Sequence, residues 1–119
     1  MYRRIDESPL NEKKCSACEG ETAPLDASQI GRYLGTLRGG WTVVDNHHLF
    51  RSFRFPDFSK ALEFTNRVGM LSEAEGHHPD ILVGWGKAEV TLWTHAVDGL
   101  TLNDFILASK ISDLEQQNA

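Results

Sequence analysis

Apolar positions along the chain switch between a helical and an alternating rhythm, and the switches mark the elements. Ile30, Leu34 and Leu37, with Tyr33 beside them, recur at helical spacing and predict a helix from Asp26 to Leu37, stopped by Gly39-Gly40. Trp41 to Asp45 is short, β-branched and aromatic, and Asn46-His47 reads as a turn. From His48 to Phe55 the pattern alternates, with Leu49, Arg51, Phe53 and Phe55 on one face and Phe50, Ser52 and Arg54 on the other. The two segments predict a hairpin, ended by Pro56. Phe58, Ala61, Leu62, Thr65, Val68, Leu71 and Ser72 return to helical spacing, with Asp57 or Ser59 as cap and Gly76 as stop. Ile81 to Trp85 predicts a short strand, and the Gly84-Trp85-Gly86 neighbourhood a connection. Lys87 to His95 then alternates strictly: Ala88, Val90, Leu92 and Thr94 face one way, Glu89, Thr91, Trp93 and His95 the other. Asp98-Gly99 marks a turn. Thr101 to Asp104 has the form of a capping box with Asp in place of Glu, opening a helix from about Leu102 to Leu114. That helix offers Phe105, Ile106, Ala108 and Ile111 to the core, and Gln116 to Ala119 is a polar tail.

The order α-β-β-α-β-β-α has no strand–helix–strand alternation that demands a parallel sheet. It predicts an α+β fold, a four-stranded antiparallel sheet with helices on one face. Residues 1–24 mix charges with Pro, Gly and Cys and read as an irregular N-terminal arm; residues 25–119 read as a single domain. A length of 119 residues allows one core and one deep site. A sheet covered on one side leaves a face or edges open, so oligomerisation is expected. The 12 Lys and Arg against 17 Asp and Glu leave a net charge of −5, which argues against nucleic acid as a direct partner. No apolar run approaches a membrane span, and Met1 to Leu10 lacks the apolar stretch of a signal peptide. Two cysteines are too few for a disulfide scaffold, so a cytoplasmic protein is the expectation.

Histidine is the unusual component: there are five, four of them in two adjacent pairs. Pro79 biases His78 away from the helical region, which puts His77-His78 on a loop at a helix end. His95 is expected at the end of a strand, Glu73 one helical turn before His77, Asp104 in the first turn of the last helix, and Trp85 between the histidine sites. If the strands pair as read, these residues converge at one end of the sheet. Imidazoles beside carboxylates suit proton transfer, since an unperturbed His titrates near ~6.5 and one ring can act as acid while another acts as base. Three histidines also suit zinc, but neighbouring side chains on extended backbone diverge, so no metal is expected there. Cys15-x₂-Cys18 is half a zinc site and reads as two reduced thiols without a structural role. His47-His48 reads as a solvated turn, and Arg51 and Arg54 fall on alternate faces and form no basic patch.

Glu73-Ala74-Glu75-Gly76-His77-His78-Pro79 resembles the E-x₃-H-H-P signature of the pterin-4a-carbinolamine dehydratase family. Five residues then lead to Trp85, nine more to His95 and eight more to Asp104, in register with that family's pattern. The likeness runs from Leu25 to about Ile111. It departs at Ala96, where many relatives carry an acidic residue, and in Val83-Gly84-Trp85-Gly86, which lacks the Asn of some relatives. The resemblance implies dehydration of 4a-hydroxytetrahydrobiopterin, or a related 4a-hydroxytetrahydropterin, to a quinonoid dihydropterin, with neither metal nor redox cofactor. It implies acid–base roles for His77 and His95 and a substrate-binding one for His78, the three forming the catalytic set. It gives binding or orienting roles to Glu73, Pro79, Trp85 and Asp104, an aromatic amino-acid hydroxylase as a pathway partner, and a homodimer or homotetramer as the assembly. The same fold also serves relatives as a dimerisation or coactivator-like assembly module, which is the competing expectation.

Overall fold

A computed structural model describes residues 9–13, 15 and 23–117. Helix α1 spans Ala27–Leu34, strands β1 and β2 span Thr42–Val44 and His48–Arg54, and helix α2 spans Phe58–Glu75. Strands β3 and β4 span Asp80–Gly84 and Lys87–Leu92, and helix α3 spans Leu102–Gln117. A single 3₁₀ turn at Leu10–Glu12 precedes α1, and another at His95–Val97 follows β4. The four strands form one antiparallel sheet, as the periodicity predicts, and their order in it is β1-β2-β4-β3.

Local chemistry accounts for the boundaries. Asp26 accepts from Gln29 N–H at 2.8 Å while the Gln29 side chain accepts from Asp26 N–H at 3.0 Å, a complete capping box on α1. Helix α1 ends at Leu34 with Gly35 as its cap, earlier than Leu37. Asp57 caps α2 by accepting from Lys60 N–H at 2.8 Å. Gly76 closes α2 in the left-handed region, φ 67°, where a side chain is disfavoured. Helix α3 runs past Leu114 to Gln117, into the segment read as a polar tail.

One sheet face carries the core. Leu49, Phe53, Ala88, Val90 and Leu92 are buried with Phe64 and Val68 of α2 and Phe105, Leu107, Ala108 and Ile111 of α3. Buried residues alternate along β2 and β4, so the period of two in the sequence records one-sided packing. Arg51 shares that buried face. Its guanidinium lies 4.0 Å from the Phe53 ring centroid and donates to Ser112 and to the Glu115 carboxylate on α3.

Strand β4 is shorter than its alternation. Pairing stops at Leu92 because β2 pairs Leu49 with Leu92 and β3 begins at Asp80 opposite Thr91, leaving no ladder further on. Thr94 instead makes an isolated bridge with Gly99, and His95 opens the 3₁₀ turn rather than ending a strand. The arm differs from its sequence reading too. Cys15 N–H donates to Glu75 at 3.0 Å, its thiol donates to the Asn103 carbonyl at 3.5 Å, and the residue packs against the core. Cys15 therefore has a structural role; Cys18 lies outside the described residues.

Candidate active site

The end of α2, the starts of β2, β3 and α3 and the end of β4 meet at one edge of the molecule. A cavity of about 360 Å³ opens there, lined among others by His77, His78, Pro79, Trp93, His95 and Asn103. That volume lies within the ~300–1,000 Å³ typical of small-molecule sites. The three signature histidines and Pro79 thus share one concavity.

Asp104 organises it from below. The residue is fully buried, and its Oδ1 lies 2.6 Å from His77 Nε2. Its Oδ2 accepts from Thr94 Oγ1 at 2.8 Å and from Thr101 N–H at 2.9 Å. The Thr101 bond is the returning half of the predicted capping box, so one side chain starts α3 and holds a histidine. The helix N-terminus favours negative charge at this position. A carboxylate only accepts, which assigns the donating N–H to His77 Nε2 and leaves Nδ1 as the ring atom free to gain or lose a proton. Glu73 bonds the other member of the pair, reaching His78 Nε2 at 3.0 Å on the exposed rim. Each adjacent histidine thus has its own carboxylate.

Trp85 does not reach this cavity. It sits in the two-residue turn between β3 and β4 and is 75% exposed. The five residues of β3, at ~3.3 Å each, carry it to the opposite end of the sheet. The aromatic ring at the cavity belongs to Trp93, stacked on His95 with centroids 4.3 Å apart and planes at 34°. His47 and His48, read as a solvated turn, lie against Trp93 at 5.7 and 6.2 Å between centroids. His47 Nε2 also meets Asp98 Oδ1 at 2.8 Å. Local sequence carries no sign of this; the register pairing Leu49 with Leu92 brings His48 beside Trp93. Asn103, an interior position of the predicted capping box with no site role in the sequence reading, lines the cavity as well. Among the described residues no group of three His, Cys, Asp or Glu is arranged to hold a metal ion. Nor is any described helix long and apolar enough to cross a membrane.

The fold and site define a small α+β protein with a histidine–carboxylate pocket at one end of an antiparallel sheet. The sequence profile described as Pterin 4 alpha carbinolamine dehydratase matches residues 23–114, and the chain belongs to that family. A protein of Rubrobacter xylanophilus, provisionally named pterin-4-alpha-carbinolamine dehydratase, is 52% identical over 107 residues, covering 90% of this chain and 99% of its own. A protein of Alkaliphilus metalliredigens with the same provisional name is 46% identical over 108 residues, covering 91% and 97%. The solved structure of a transcriptional coactivator/pterin dehydratase from Brucella melitensis superposes with a TM-score of 0.71 at 34% identity, over 76% of this chain and 97% of that one. A pterin dehydratase-like protein described as a RuBisCO assembly factor in the alpha-carboxysome shares the fold at 23% identity and a TM-score of 0.55, over 65% of this chain and 90% of that one.

Proposed function

We propose that this chain dehydrates a 4a-hydroxytetrahydropterin, 4a-hydroxytetrahydrobiopterin or a close analogue, to the quinonoid dihydropterin. The observation that carries the reading is the sharing of one cavity by His77, His78 and His95, with the buried Asp104 bonded to His77. In the reaction the N5 lone pair forms the C4a=N5 bond as the C4a–O bond breaks. An acid delivers a proton to the departing hydroxyl, which leaves as water, and a base takes the proton from N5. The net loss is one water, and the base returns its proton through solvent before the next turnover.

The chain supplies groups for each step. His77 and His95 are the acid and base. Asp104 fixes the His77 ring with Nδ1 free, as a carboxylate does for a catalytic imidazole. His78, tethered by Glu73, binds the substrate at the rim, and Pro79 shapes the wall. The reaction as written needs no metal or redox cofactor. The provisional names of the close relatives point the same way, as does the dehydratase half of the Brucella protein's description. An aromatic amino-acid hydroxylase, which leaves such an adduct, is the natural supplier of substrate.

The test is a hydroxylase assay with the full chain added, following decay of the 4a-hydroxy adduct by absorbance. The wild-type chain should accelerate that decay. His77→Ala and His95→Ala should each lower kcat/KM by at least ~10²-fold, the usual scale of general acid–base help. Folded wild-type protein without effect would overturn the activity, and unchanged rates in both variants would overturn the roles.

A second reading, as an assembly module, draws on exposed apolar residues. Phe58, Leu62 and Met70 project from α2, and Leu82 lies on the open edge strand β3. These residues suit self-association into a homodimer or homotetramer, which is compatible with catalysis.

A further inference from the structure

We propose that Trp93 is a positioning residue for His95, and that the His47–Asp98 pair locks the two together. The inference rests on the dehydratase reading for its effect on rate, but its geometry stands independently.

His95 lies in a weakly held part of the chain. It is exposed, beyond the last ladder pair of β4, at the first position of a three-residue 3₁₀ turn. Backbone bonds fix the turn at its base, where Thr94 and Gly99 exchange both N–H to carbonyl bonds at 2.8 and 3.4 Å. They do not fix the direction of the His95 ring. The indole of Trp93 does, because its stack against that ring, 4.3 Å between centroids, leaves the imidazole one wall to lie on.

Trp93 is held in turn by a second pair of rings. His47 and His48, at the turn between β1 and β2, tilt against it. The Nδ1 atoms of these two histidines lie 3.1 Å apart, a distance at which one carries the proton and the other accepts it. His47 Nε2 then bonds Asp98, the residue closing the very turn that begins with His95. Asp98 adopts φ 49°, and this left-handed conformation turns the chain back toward Gly99. His95 is thus bracketed in sequence by two residues, Trp93 and Asp98, that both rest on one hairpin turn. The titrating groups around it are His47, His48 and Asp98 on this side and His77, His78 and Asp80 across the cavity.

The experiment pairs steady-state kinetics with NMR of the His95 ring in the full-length chain. In the wild type, the indole's ring current should displace the His95 ring protons from their free-imidazole positions. Trp93→Leu should abolish that displacement and lower kcat about 10-fold or more, with a smaller change in KM, since misplacing a reacting group mainly costs the chemical step. Trp93→Phe should restore most of both. Asp98→Gly keeps the left-handed backbone and removes only an 88% exposed carboxylate, so its folding is secure. It should shrink the displacement and lower kcat several-fold, and His47→Gln should match it without adding to it. Persistence of the wild-type ring shifts in Trp93→Leu and Asp98→Gly would overturn the proposal. So would a lost stack with unchanged kcat. If the wild type fails to dehydrate the pterin, the functional reading falls, while the ring shifts still decide whether Trp93 and Asp98 position His95.

Discussion

At Asp104 one buried carboxylate receives a histidine ring, a threonine hydroxyl and a helix-capping N–H, so two substitutions there should give different results. Asp104→Ala strands two buried donors, the Thr94 hydroxyl and the Thr101 N–H, each worth ~1–3 kcal/mol when left unpaired, besides the half-buried His77 ring, and should lower unfolding stability by at least ~2 kcal/mol in urea melts. Asp104→Asn keeps the volume and one carbonyl acceptor. If that carbonyl stays with Thr101 and Thr94, the amide NH₂ faces His77 and forces the ring to accept at Nε2, moving the proton to Nδ1. We expect a stability loss of only ~1–2 kcal/mol but a kcat reduced by ~10²-fold. Equal activity in wild type and Asp104→Asn would show that the His77 tautomer is irrelevant. The importance of Asp104 is visible in the chain itself, because a Thr-x-x-Asp helix start and a spaced signature coincide on one residue. The contribution of Trp93 is not, because only the pairing between β2 and β4 reveals what stands behind it. Trp85 shows the converse: motif spacing counts positions along the chain, and a two-residue turn sends this one to the wrong end of the sheet for the cavity.

Among the elements, the N-terminal arm and the end of α2 are joined through one carboxylate. Glu75 accepts from Cys15 N–H at 3.0 Å and from Lys110 Nζ at 3.0 Å, two residues before His77. Burial works to raise the Glu75 pKa, but these two donors outweigh it and hold the group below its ordinary 4.5. Burial, followed by the charge of Glu75, pushes the Cys15 thiol from 9.0 up to about 12. The signs of the linkage follow. The Glu75 contribution is complete above pH 4.5 and fades as pH falls through its depressed folded value; the Cys15 contribution is complete below pH 9 and fades as pH rises toward 12. In a Cys18→Ser background at pH 8, native Cys15 should react with iodoacetamide roughly 10²–10³-fold more slowly than an unstructured cysteine. Adding Glu75→Gln should speed that reaction, because it loosens the docked arm and removes the neighbouring charge. Equal rates in the two proteins would show that Glu75 does not hold the arm. The element order and the caps at Asp26, Asp57 and Thr101 were legible as local patterns. The docking of Cys15 joins residues sixty positions apart, and no local pattern encodes it.

For the whole molecule, the question is what covers the apolar residues that one core leaves outside. Phe58 and Leu62 are partly exposed on α2, Met70 is 74% exposed on the same helix, and Leu82 is 55% exposed on β3, whose outer edge pairs with no strand among the described residues. Single exposed apolar residues are ordinary, but three along one helix, and a further one on an edge strand, offer places where a second copy suits. A small domain has few ways to bury such residues internally, since α3 already fills the space over the sheet: Asn103 to Ala108 are all buried. Sedimentation equilibrium should therefore give a mass of two or four chains. The double variant Phe58→Glu/Met70→Glu, on the exposed face of α2 and away from the cavity, should shift that equilibrium toward smaller species. A wild type that sediments as a monomer at micromolar concentration would overturn the expectation of self-association. An unchanged multimer in the double variant would move the interface off α2 to the β3 edge, where Leu82→Lys is the corresponding test. Because α2 also ends in Glu73 and His77-His78, kcat measured across the concentration range of dissociation reports whether assembly steadies the pocket. A rate per chain that falls on dilution in parallel with dissociation is the outcome expected if the copies brace that helix against each other.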